Sequence, residues 1–197
     1  MSLREVVFDI ETTGLKYPVD IVMATVLEIK RSGRREYKTF ILDDFDSNHD
    51  FLKSILKELS PDGYDELKLQ LNMQTTMITF NGDAFDLPVL RDNLLRFGVE
   101  WYPVKYFKHV DIYSNFIRNG FIRSPKTLGA NKLEKVYDRY VGGERNTYDV
   151  DGLKFPELYK QAIEHHDDVL LENLVKYNQE DVRLTYELYE KFKMFLP

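Results

Sequence analysis

The chain opens with three apolar, β-branched runs, "EVVFDI", "DIVMATVLEI" and "REYKTFIL", joined by "GLKYP" and "RSGR". A parallel crossover needs about a dozen residues or more, so these runs are expected to pair antiparallel and to start the fold as a meander. Then the pattern changes. "DFLKSILKEL" has helical spacing and is stopped by "SPDG", "MITF" reads as a short buried strand ending at "NGD", and "FDLPVLRDNLLRFG" reads as a helix with Pro88 in its first turn and Gly98 as its stop. "HVDIY" is expected as a fifth strand, followed by helices in "SNFIRNG", "KTLGANKLEKVYDRYVGG", "FPELYKQAIEHH" and "DVLLENLVKYNQEDVRLTYELYEKFKMF". Strands first, with helices between and after them, predict an α/β fold with a mixed sheet flanked by helices. The least structured segment, "VGGERNTYDVDG" at 141–152, is expected as a loop beside a substrate groove.

No repeat, low-complexity tract or long linker divides the 197 residues, which predicts one domain over 1–197. The absence of cysteine removes disulfides, thiolate catalysis and cysteine-ligated zinc, and leaves four histidines for any nitrogen ligation. The N-terminus runs directly into a strand and no apolar stretch approaches the roughly 20 residues of a membrane span, so a soluble, cytoplasmic protein without a membrane partner is expected. A net charge of -6 argues against indiscriminate nucleic-acid binding. Charge is nevertheless uneven: Lys105, Lys108, Arg118, Arg123, Lys126, Lys132, Lys135 and Arg139 dominate residues 101–140, whereas acids dominate 41–70.

Two acids interrupt the first strand at its C-terminal end, in "FDIETTGL". Residues i and i+2 of a strand share a face, so Asp9 and Glu11 present their carboxylates together, about 7 Å apart at the backbone. Such a pair becomes tolerable when a divalent cation is held there, and oxygen-only ligation suits magnesium or manganese. A second acidic position follows a buried strand in "MITFNGDAFDLPVL", where Asp83 and Asp86 compete for the N-cap of the next helix and spacing leaves both open. In the third, "KYNQEDV", Tyr177 and Asp181 stand at i and i+4 and share a helix face, about 6 Å apart along the axis.

Together "FDIETTGL", "FNGDAFDLPVL" and "YNQEDVRLTYEL" resemble the three motifs of the DEDD superfamily of 3′→5′ exonucleases, which have the ribonuclease H-like fold. The likeness is closest to the tyrosine-bearing branch, which includes the proofreading domain of family B DNA polymerases and small stand-alone exonucleases. It spans nearly the whole chain in the right order. The resemblance implies that Asp86 rather than Asp83 is the second acid. It also implies the tyrosine branch, since Lys176 stands where the other branch has histidine, and none of His49, His109, His165 or His166 has an Asp four or five positions later. By the same transfer Thr12 and Leu15 touch the terminal nucleotide, with Leu15 wedged against its base, while Asn81 and Phe85 line the strand's path. "HVDIYSNFIR" and "KTLGANKLEKVY" are similar to the stand-alone branch, and Asp111 becomes a candidate for the outer shell of the site.

The implied chemistry is hydrolysis of phosphodiester bonds at a 3′ end of single-stranded nucleic acid, DNA favoured and RNA possible, with two magnesium or manganese ions clamping the attacking and leaving oxygens. Asp9 would bridge both ions, Glu11 and Asp181 would complete the site of the nucleophilic water, Asp86 would hold the second ion, and Tyr177 would orient the water. The basic segment at 101–140 would receive the backbone of the strand. The alternative is an inactive ribonuclease H-like module that binds nucleic acid or protein, which the retention of all five residues argues against. A haloacid-dehalogenase-type phosphatase would want Asp-x-Asp where Glu11 stands, and a two-carboxylate glycosidase would differ in needing no metal.

Overall fold

The computed structural model describes residues 4–30, 32–59, 75–100, 108–125, 127, 129–143, 145–146, 148, 150 and 152–196. The helix stop "SPDG", the acids Asp62, Asp65 and Glu66, and Lys105 and Lys126 lie outside the described residues.

Strands β1 (Arg4–Thr12), β2 (Ile21–Ile29) and β3 (Arg35–Ile41) form the antiparallel meander. Strands β4 (Thr75–Thr79) and β5 (Lys108–Asp111) add in parallel on the other side of β1, giving the order β3-β2-β1-β4-β5. The expected mixed sheet is therefore present, flanked by helices α1 (Asn48–Leu59), α2 (Asp86–Arg96), α3 (Leu133–Tyr140), α4 (Phe155–Glu164) and α5 (Asp168–Phe192).

Three boundaries differ from the sequence pattern. Strand β4 starts two residues before "MITF" and ends at Thr79, because Asn81 adopts a left-handed backbone (φ 66°) that turns the chain out of the sheet. "HVDIY" is cut short as Tyr113–Arg118 wind into a π-helical turn. Among the described residues of the long helical stretch before the loop, Leu133–Tyr140 are α-helix, since Gly129 at φ 74° cannot continue a right-handed helix.

Alternation along β1 divides its side chains between two faces. Val6, Phe8 and Ile10 pack against Phe51, Leu52 and Ile55 of α1 and Leu87, Leu90 and Leu94 of α2. Val7, on the opposite face, joins Ile78 and Val110 against Val182, Leu184 and Leu188 of α5. A third cluster packs α4 and Leu174 of α5 onto Val22 and Met23. The 25-residue α5, about 37 Å long, is capped by Asp167, whose Oδ1 accepts from Leu170 N–H at 3.0 Å. It is thus anchored along its length beneath the face that carries residues 7, 9 and 11 of β1. No helix among the described residues is long and apolar enough to cross a membrane.

Candidate active site

Strand β1 pairs with β2 from Glu5 to Thr12, but with β4 only from Arg4 to Val7. Beyond Val7 one edge of β1 is uncovered by strand, and a crevice opens past the ends of the parallel strands. Ile10 N–H, which has no strand partner on that edge, donates to Asp86 Oδ1 at 3.3 Å. Asp9 and Glu11 project toward α5, where Asn178 Nδ2 donates to Asp9 Oδ2 at 2.6 Å. Carboxylate oxygens of Asp9, Glu11 and Asp181 all lie within 4.8 Å of one another.

Asp86 is the first residue of α2 and is buried, and the N-cap position before it is held by Phe85, with no side-chain cap. Asp83 faces elsewhere: its Oδ1 lies 3.1 Å from His109 Nδ1, and with His109 and Asp111 it forms a separate polar group. Asp111 is buried and accepts from the N–H groups of Asn81, Asp83 and Ser114 and from Thr79 Oγ1. It therefore staples the turn leading to Asp86 rather than joining Asp9, Glu11 and Asp181. Gly82 makes that turn possible, because a Cβ there would collide with Thr79.

Burial raises the pKa of all four carboxyls, and their mutual repulsion adds to it. Asp9 and Glu11 are held well above the usual carboxylate range, first by burial and then by neighbouring acids. Burial pushes Asp86 and Asp181 up to about 7, opposed at Asp86 by the Ile10 N–H and at Asp181 by the Arg145 guanidinium. Asp181 Oδ1 is moreover a buried oxygen with no aligned hydrogen bond, its close contact being the ion pair with Arg145. An all-oxygen set of crowded carboxylates with an unsatisfied oxygen fits a hard divalent cation.

Tyr177 is buried beside this set, and Gly152 gives it room: a Cβ at 152 would stand 3.0 Å from its hydroxyl. Burial, then the charge of Asp181, pushes the phenol above its ordinary range, so near neutral pH it donates a proton in hydrogen bonds rather than abstracting one. A groove of about 1440 Å³ runs over the site, larger than the usual small-ligand pocket. Glu11, Tyr177 and Asp181 line it, as do Thr12, Leu15, Asn81 and Phe85, and Lys16 and Lys132 add positive charge. Leu15 is 72% exposed, free to meet a ligand, whereas Thr12 is buried and its Oγ1 donates to Gly14 O at 2.9 Å. Of the basic segment, Lys132 is the lysine brought to the groove among the described residues.

Two residues of this constellation escaped the sequence reading. Asn178 lies within "KYNQEDV", and its i−3 relation to Asp181 on α5 was the available signal. Arg145 comes from the 141–152 loop and reaches Asp181 Oδ1 with Nη2 at 2.5 Å, while its Cζ stands 4.3 Å from the Tyr177 ring centroid. No spacing rule links a loop arginine to helix residues 32 and 36 positions onward.

A sequence model of the RNase_H superfamily matches residues 6–193. The chain belongs to that superfamily. A comparison with curated proteins found no match. Among solved structures, the family B DNA polymerase of the hyperthermophilic archaeon Pyrobaculum calidifontis superposes with a TM-score of 0.71 at 22% identity, over 98% of this chain and 25% of the polymerase. A zinc-bound complex of E. coli exonuclease I with single-stranded DNA superposes with a TM-score of 0.51 at 15% identity, over 99% of this chain and 46% of that one. A product-bound structure of exonuclease I gives 0.52 at 14% identity, over 98% of this chain and 44% of that one. The chain thus spans a quarter of the polymerase and less than half of exonuclease I.

Proposed function

We propose that the chain is a divalent-metal-dependent 3′→5′ exonuclease of the tyrosine-bearing DEDD branch, acting on single-stranded nucleic acid. The observation that carries this reading is the gathering of Asp9, Glu11 and Asp181 within 4.8 Å, next to buried Asp86, under an open groove. Superfamily membership and likeness to exonuclease I support nuclease chemistry, and the single-stranded DNA in that complex makes DNA the first substrate to test.

Asp9, Glu11, Asp86 and Asp181 would hold magnesium or manganese, which supplies Lewis-acid activation of water and charge neutralisation at the phosphate. The chain's own residues provide the geometry. Asn178 fixes the Asp9 carboxylate through its 2.6 Å hydrogen bond, and Ile10 N–H does the same for Asp86. Tyr177 orients the attacking water by donating its hydroxyl proton in a hydrogen bond. Leu15 wedges against the terminal base and Phe85 lines the path of the strand, roles suited to unpaired nucleotides, which unstack at little cost.

Incubation of 5′-labelled single-stranded DNA and RNA with manganese should give a ladder shortening from the 3′ end, with nucleoside monophosphate released. Cleavage of a closed circular strand at the same rate would overturn exonuclease action. Binding without cleavage of either polymer would favour the inactive module instead.

Tyr177→Phe is expected to fold normally, since the ring keeps its place among Phe155, Arg145 and Leu174. Its turnover should fall by roughly ten- to a thousandfold, about 1.4–4 kcal/mol of transition-state stabilisation. Tyr177→His should not rescue it, because the histidine of the other branch stands one residue earlier, about 100° around the helix. Wild-type turnover of the phenylalanine variant at saturating substrate would reduce Tyr177 to a packing residue.

A further inference from the structure

Arg145 does more in this groove than its loop position suggests. Its side chain is only 12% exposed, and its guanidinium is placed among three partners: Asp181 at 2.5 Å, Glu134 Oε2 at 3.6 Å and the face of Tyr177. The loop is tied to α5 next to the site, where Asn146 N–H donates to Glu180 Oε1 at 3.3 Å. Yet the contact with Asp181 is not an aligned hydrogen bond. Arg145 Nε and Nη2 and Asp181 Oδ1 are all buried polar atoms without a hydrogen-bond partner. A forked arginine–carboxylate pair would satisfy two donors and both oxygens at once. Here charge is neutralised while hydrogen-bonding capacity is left open on both sides, an arrangement that a better partner for either group can displace.

We propose that Arg145 is a resident counter-ion for Asp181, competing with a divalent cation for the same carboxylate oxygen and so setting the cation affinity of the site. The proposal rests on the reading of Asp181 as a cation ligand. An ion that offers a point charge and direct coordination satisfies Asp181 Oδ1 as the misaligned guanidinium does not. Displaced, the guanidinium is still held by its stacking on Tyr177 and by Glu134, so it stays within the groove with unsatisfied donors. Neutralisation of a buried acid until a cation binds is what this competition provides.

The test is manganese binding to the full chain without nucleic acid, measured by titration calorimetry. Arg145→Gln should bind manganese about tenfold more tightly than wild type. Lys135→Gln, which removes an exposed charge on α3 that touches no acid of the site, should change affinity by less than about twofold. Equal or weaker binding by Arg145→Gln, with the wild type binding normally, would overturn the counter-ion role and leave the metal reading standing. Absence of manganese binding in both proteins would overturn the two together. Because leaving Asp181 unpaired can disturb folding, a second measurement uses the wild type: the Arg145 Nε–H NMR signal, assigned by its loss in Arg145→Lys, should shift as magnesium is added. A signal unmoved at saturating magnesium would refute the competition.

Discussion

Asp9→Asn should lower turnover by about a thousandfold or more, equivalent to about 4 kcal/mol or more of transition-state stabilisation, while the folded protein becomes more stable rather than less. The two effects have one cause. Asp9 faces Asp86, Asp181 and Glu11, and burial together with those charges holds its carboxyl well above the usual range. The amide removes a repelling charge from this cluster. It also keeps an oxygen in place, though Asn178 must then meet a neutral acceptor where it now donates to Asp9 Oδ2. Relief of like-charge repulsion in a buried site is worth on the order of 1–3 kcal/mol, against about 1 kcal/mol for the weakened hydrogen bond. Thermal melts in chelator with parallel turnover assays check both halves. A variant that loses activity and stability together would mean that Asp9 is a structural residue. Asp86→Asn should behave alike, since its amide oxygen can still accept from Ile10 N–H. An active Asp86→Asn beside a dead Asp83→Asn would reverse the assignment of the second acid.

How much of this was legible in the sequence follows from which interactions are local. The meander was readable because connections as short as "GLKYP" and "RSGR" leave antiparallel pairing as the available geometry. The shared face of Asp9 and Glu11 follows from the two-residue strand period, and that of Tyr177 and Asp181 from the helical period. What could not be read was the meeting of these faces. The choice between Asp83 and Asp86 depends on where β4 stops pairing with β1, which frees Ile10 N–H for Asp86, and on Asp111 drawing the backbone of Asn81 and Asp83 to itself. The resemblance to known exonuclease motifs pointed to Asp86 where spacing was silent. Arg145 shows the opposite limit. Its partner lies 36 positions away across a loop and a helix, and a long side chain in a loop has no period that could announce its target.

Chelation supplies the second large effect, an expected loss of hydrolysis by about four orders of magnitude or more, because without a cation the crowded carboxyls repel the phosphate and nothing lowers the pKa of the attacking water. The Tyr177 phenol is pushed up rather than down, so it does not take the water's proton in the cation's place. The same carboxyls give chelated protein an unusual dependence of stability on pH. In the unfolded chain they titrate near 4, whereas in the fold Asp86 and Asp181 titrate near 7 and Asp9 and Glu11 are also raised. Between these values the folded state binds more protons, so its stability is greatest below the unfolded pKa and is lost as pH rises through the folded one. His109, whose folded pKa is lowered by burial, works in the other direction, losing stability as pH falls. The cluster's own share is therefore read as a difference: between pH 5.5 and 7.5 the wild type in chelator should lose more stability than Asp86→Asn does. Manganese should stabilise the wild type strongly at pH 7.5 and little at pH 5.5, since a cation must displace the protons that acid supplies. Identical pH profiles for wild type and variant, or equal manganese stabilisation at both pH values, would show that the four carboxyls do not share one cation-binding charge cluster.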